Sequence, residues 1–262
     1  MDIKLKFVLA ASSIIIASAL FTDFKSPQPI NLNEPSTLSF FNIEKHANND
    51  VAAAQYVLGT FYLYGHEQDK IEKDSTKAKY WFKKAADHQH GPAAFEYARI
   101  TENPKDAEFY YRKAMSNGFP ASIFALAQLK LKEGNPASIK EGIELMYAAT
   151  EAKDPMAMAF FATLLHEGAG VKKDNVAAVL WLHKASTHAP NPEIKKDWTA
   201  KHEQWLAALT EEESIDMNDR LMTDGLTFSP SAEGPTTPGS KKIPGPFSST
   251  ASPNDALLTY SK

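Results

Sequence analysis

No cysteine occurs anywhere in the 262 residues. Its absence excludes disulfide staples and thiol nucleophiles, and it excludes lipoprotein processing behind the N-terminal apolar run. A basic excess is missing too: 28 Lys and Arg against 32 Asp and Glu leave a net charge of −4, which is no footprint for nucleic acid. No alternating strand pattern interrupts residues 47–210. Catalytic signatures are equally scarce. There is no Gly-x-Ser-x-Gly, no phosphate-cradling glycine loop and no dinucleotide fingerprint. His66-Glu67, His166-Glu167 and His202-Glu203 each lack the second histidine of a zinc-protease helix. His88 and His90 flank Gln89 at a spacing that suits a metal clip, but no third ligand can be named, so neither a metal nor a cofactor is expected.

What the chain does have is a recurring unit. Leu165-His-Glu-Gly168-Ala-Gly170-Val171, then Asp174, Ala178, Trp181 and Lys184-Ala185 repeat an earlier run. That run reads Leu58-Gly59, Tyr62 and Gly65, then Asp74, Lys77-Ala78, Trp81 and Lys84-Ala85-Ala86. Both copies predict an apolar helix, a glycine-marked loop ending in Asp, and a second helix. One such unit cannot bury its apolar face alone, so repetition along a chain implies a stack. Each recurring residue has a packing role. Gly59, Ala98, Ala127 and Ala162 allow two helices to approach closely, while Tyr62, Leu165, Trp81 and Trp181 fill the space between units. Gly65, Gly168 and Gly170 supply positive φ after the first helix, and Asp74 and Asp174 are N-caps of the second. None of these residues demands chemistry.

The pattern resembles the Sel1-like repeat, a tetratricopeptide-like helix pair with a longer internal loop. Two weaker units fit between the clear ones. One runs from Ala93 through Asp106-Ala107, Tyr110 and Lys113-Ala114 to Gly118, and the other from Leu126-Ala127 through Gly142 to Ala148-Ala149. The resemblance implies an all-α fold, a right-handed α/α solenoid of about four helix pairs with capping helices. It also implies a non-enzymatic protein that binds a partner on a concave face lined by the first helix of each pair. With Leu58, Tyr97, Leu126 and Phe161 as equivalent packing positions, that face takes Tyr56, Thr60 and Tyr64 from the first pair. The second adds Phe95, Arg99 and Glu102, the third Phe124, Gln128 and Lys132, and the fourth Thr163, His166 and Glu167. Tyr56, Phe95 and Phe124 share one repeat position, so packing under a neighbouring unit is the competing reading for them. Aromatic and Arg residues are the types that dominate binding hot spots. Mixed charge suits a peptide or protein partner and not nucleic acid.

The ends of the chain set further expectations. Lys4 and Lys6 precede an apolar run from Phe7 to Phe21 that contains Ala17-Ser18-Ala19, a small-x-small cleavage pattern. Residues 1–19 are therefore expected to be a signal peptide, or, uncleaved, an inner-membrane anchor facing the periplasm. Residues 20–46 read as a linker and N-terminal cap in which Phe40, Phe41 and Ile43 pack on the first unit. The repeats span 47–190, a C-terminal capping helix with Trp198 and Trp205 spans 191–210, and 211–262 read as a disordered tail. Together these imply a periplasmic adaptor or scaffold for envelope proteins, serving secretion, envelope assembly or signalling. Binding of peptidoglycan or exopolysaccharide, and a secreted host-directed effector, are the competing expectations.

Overall fold

In a computed structural model, residues 40–222 are described. The expected signal peptide or anchor, most of the linker, and the tail beyond 222 lie outside them. The regular elements of the described residues are all helices, apart from a single bridge between His66 and Ile71. It divides into two compact units, with described residues 40–122 in one and 123–222 in the other.

The first unit opens with α1 (Phe40–Asn48), which packs through Ile43 and Ala47 on α2 (Ala52–Tyr64). Phe40 sets its ring edge-on to Tyr62 at 6.4 Å. Phe41 departs from expectation: it is 71% exposed, because Ile43 and Ala47, four residues apart, define the buried stripe. After α2 the chain turns at Gly65 (φ 75°), closes a short loop at His66 and Ile71, and enters α3 (Ser75–Asp87). Asp74 caps α3 by accepting from Lys77 N at 2.9 Å, and its own N–H donates to Tyr62 O at 2.7 Å, tying the loop back to α2. A Cβ at Gly59 would stand 2.7 Å from the Phe82 ring, so this glycine sets the approach of α2 and α3. The next pair is α4 (Gly91–Ile100) and α5 (Pro104–Ser116), each begun by a side-chain cap followed by proline.

The helix α6 (Ala121–Glu133) leads into the second unit, and a Gly134-Asn135 link joins it to α7 (Pro136–Glu151). Like α4 and α5, this pair lacks the long internal loop found between α2 and α3, and Gly142 lets α7 approach Leu131 of α6. In α8 (Pro155–Glu167) and α9 (Asn175–Thr187) the first pair's devices return. Gly168 and Gly170 have φ of 69° and 74°, Asp174 caps α9 through Ala177 N, and its N–H donates to Leu165 O at 3.0 Å. Phe161, Leu164, Leu165, Trp181 and Leu182 form the centre of this core.

The chain then adds α10 (Pro192–Ala207), capped by Asn191, with Trp198 and Trp205 buried against the same core. The boundary expected at 211 is corrected here. Glu211–Met222 forms a further helix, α11. Thr210 and Glu213 make a reciprocal capping box, N–H to side chain in both directions at 2.9 and 3.2 Å. The acidic run that reads as tail composition is the first turn of a helix, where negative charge is favourable. Arg220 Nη1 of α11 donates to Asp174 Oδ2 at 2.8 Å, and Met217 packs on the core.

Candidate functional site

In the first unit, Tyr56, Thr60 and Tyr64 recur every four residues on α2 and share one face. The Thr60 hydroxyl is satisfied locally, donating to Tyr56 O at 3.0 Å. Tyr56 is half-buried beside Phe82 and His90, ring centroids 5.8 and 4.9 Å away, and burial raises its hydroxyl well above the ordinary tyrosine range. His90 caps α4 by accepting from Ala93 N through Nδ1 at 3.1 Å, and burial pushes it down to about 4. His88 stands apart from it, 3.8 Å from Asp50. Among the described residues no group of three or more His, Cys, Asp or Glu is placed to hold a metal.

Two residues from the predicted face meet directly: Arg99 Nη2 donates to the Tyr64 hydroxyl at 3.1 Å. Arg99 also donates from Nε and Nη2 to Glu96 Oε2 at 3.0 and 2.7 Å. Glu96 escapes the sequence reading. It lies inside α4 with 7% of its side chain exposed, and burial raises its carboxyl, with Arg99 acting the other way. Tyr111 of α5 lies near the same pair, and burial pushes its hydroxyl up to about 12. Glu102, expected alongside Arg99, is instead paired with Lys79 of α3 at 3.3 Å. Phe95 is a correction. It is 8% exposed, packed against Tyr111 and Phe119 at 5.7 and 5.1 Å, and belongs to the core.

In the second unit the expected positions separate. Lys132 is exposed and Gln128 half-buried on α6, while Phe124 packs edge-on to Phe160 at 6.1 Å. Thr163 is a second correction: it is buried, with its hydroxyl bonded to Ala159 O at 3.1 Å. The capping helix α10 explains why. Lys201 Nζ lies 3.5 Å from Thr163 Oγ1 and 4.7 Å above Trp205, and His166 stacks on the same indole at 4.1 Å. Burial lowers Lys201, opposed by Glu167. His166 and Thr163 are thus covered by α10. What remains partly exposed and in direct contact is Tyr64 with Arg99 of the first unit, backed by the buried Glu96.

The Sel1 repeat pattern matches residues 52–90, 93–119 and 155–189, leaving the α6–α7 pair unmatched. No curated protein matches the sequence. Among solved structures, the chain is similar to a Sel1 repeat protein from Oxalobacter formigenes at 22% identity, with a TM-score of 0.53, over 66% of this chain and 76% of that one. It is similar at 18% identity and a TM-score of 0.52 to a protective antigen of uropathogenic Escherichia coli displaying an SLR fold, over 71% of this chain and 48% of that one. These likenesses show the fold, an all-α repeat solenoid. Proteins of this repeat generally act as protein-interaction scaffolds, typically without catalysis. The chain thus carries three Sel1 repeats on the helices just described.

Proposed function

We propose that this protein is an exported, non-enzymatic adaptor that binds a segment of a bacterial envelope protein across α2 and α4. The observation that carries the binding reading is the contact between Tyr64 and Arg99. They lie on the first helices of successive pairs, and both keep surface exposure, Tyr64 at 37% and the Arg99 side chain at 25%. Tyrosine and arginine are the residues that most often supply binding energy at protein interfaces. Export rests on Lys4, Lys6, the apolar run to Phe21 and Ala17-Ser18-Ala19.

A photo-crosslinking residue at Tyr64, in cells, tests the face. The expected result is an adduct with one envelope protein that is absent when the same residue replaces Tyr80, exposed on α3. Equal labelling from both positions would overturn the assignment. Cell fractionation with N-terminal sequencing tests the address. A periplasmic product beginning near Phe21, or a membrane-held form retaining Met1, is expected; an uncleaved cytosolic protein would remove the envelope from the reading.

A further inference from the structure

Aligned on Leu58, Tyr97, Leu126 and Phe161, the preceding residues are Val57, Glu96, Ala125 and Phe160. Three are apolar and one is a buried carboxylate. Three residues further on, the same register gives Thr60, Arg99, Gln128 and Thr163. Thr60 and Thr163 make the same bond, hydroxyl to the carbonyl one turn back, at 3.0 and 3.1 Å. Two of the other three pairs therefore pack with an apolar residue and a self-satisfied threonine at these positions, and the third with Ala125 and Gln128. A buried ion pair is a weak source of stability, because desolvating both charges offsets most of their attraction. Packing does not account for Glu96 and Arg99 together.

What the pair does achieve is a fixed guanidinium. Glu96 Oε2 takes both Nε and Nη2, and the Tyr64 hydroxyl takes Nη2 from the other side. Nη1 has no acceptor among the described residues. Because the Tyr64 oxygen is an acceptor here, its own proton is left to be donated. A fixed N–H pair and a phenolic O–H thus stand together on residues that reach the surface.

We propose that Arg99 Nη1 and the Tyr64 hydroxyl receive a carboxylate from the bound segment, an Asp or Glu side chain, with Glu96 as the positioning residue. The inference rests on the reading of α2 and α4 as a partner-binding face. A guanidinium matches a carboxylate in shape, and charge-assisted bonds from a preorganised donor are stronger than those to a neutral amide. The incoming group completes a cation flanked by two anions.

The test is selection of a displayed random peptide library on the full chain, followed by synthesis of a selected peptide and of its amide counterpart, Asp→Asn or Glu→Gln. Removing Arg99 alone would strand the buried Glu96, so the informative variant is Glu96→Val with Arg99→Thr. That combination is already present at Val57 and Thr60 in the first pair, and a thermal melt verifies its folding. The expected result is selected peptides that share an acidic residue. Its amide counterpart should bind roughly tenfold more weakly to the natural chain. On the double variant the two peptides should bind within about twofold of each other, since no charge-assisted bond remains to distinguish them. Tyr64→Phe should narrow the difference on the natural background. Peptides that are lost with Tyr64→Ala but show no acid preference, or keep it on the double variant, overturn the carboxylate site and leave the binding face standing. A selection yielding nothing sensitive to substitutions in α2 or α4 overturns both.

Discussion

Replacing Trp181 by alanine probes the centre of the second unit. The indole is 2% exposed, edge-on to Phe161 at 6.0 Å and Tyr147 at 6.5 Å, with Lys184 Nζ 4.9 Å above its face. Truncating a buried aromatic costs about 3–5 kcal/mol, the larger values arising where neighbours cannot close the cavity. Phe161, Leu165 and Leu182 are themselves fully buried in the same cluster and are held on helices already in contact. Loss of the cation–π contact with Lys184 adds about 0.5–1 kcal/mol. An expected loss of about 3.5–6 kcal/mol follows, against roughly 5–15 kcal/mol for a domain of ordinary stability. Urea unfolding followed by far-ultraviolet circular dichroism gives the total. Tryptophan fluorescence separates the parts, since Trp81 lies in the first unit and Trp198 and Trp205 in the second. In a stack with nearest-neighbour coupling, the second unit should unfold at lower urea than Trp81 reports. A loss below about 1 kcal/mol, the size of a surface substitution, would refute the placement of Trp181 at the core.

Three further outcomes are expected. His90 is held near 4 by burial, below its ordinary 6.5, so its contribution to stability is complete above 6.5 and is lost as pH falls towards 4; Glu96, raised by burial, acts in the opposite sense. His90→Asn keeps a capping oxygen and should flatten the fall in melting temperature over that window, and an unchanged profile would clear His90 of the role. Asp154 accepts from Met156 N and Ala157 N at 2.8 and 3.1 Å in a buried cap, so Asp154→Ala should cost about 2 kcal/mol in chemical unfolding, with Asn restoring most of it. Ending the chain after Thr210 should lower the melting temperature by a few degrees, while ending it after Met222 should not; equal melts would mean that α11 adds no stability.

The helix pairs were legible because their signals are local. Gly65, Gly168 and Gly170 need positive φ, Asp74 and Asp174 cap, and Trp81 and Trp181 fill the core, each as the spacing predicts. The candidate binding face was only half legible, since exposure depends on what lies across from a residue. Tyr56 and Phe95 hold one repeat position, yet Phe119 closes over Phe95, while Tyr56 is only half-covered, beside His90. Thr163 and His166 were lost to α10, whose Lys201 and Trp205 sit on them. Glu96 could have been found. A carboxylate at a position that is apolar in the other three pairs, three residues before an arginine, is a conflict between composition and register. Likewise Thr210 and Glu213 carry the spacing of a capping box, outweighed in the sequence by the acidic run that follows Thr210.

Asp174 carries two duties on one carboxylate: Oδ1 accepts from Ala177 N at 2.8 Å, and Oδ2 from Arg220 Nη1 at the same distance. The first turn of α9 and the anchorage of α11 are therefore linked through one side chain. Undocking α11 would remove one of the bonds that hold the Asp174 carboxylate in place. Under a pulling force or a searching protease, release of α11 should therefore be felt first at the start of α9.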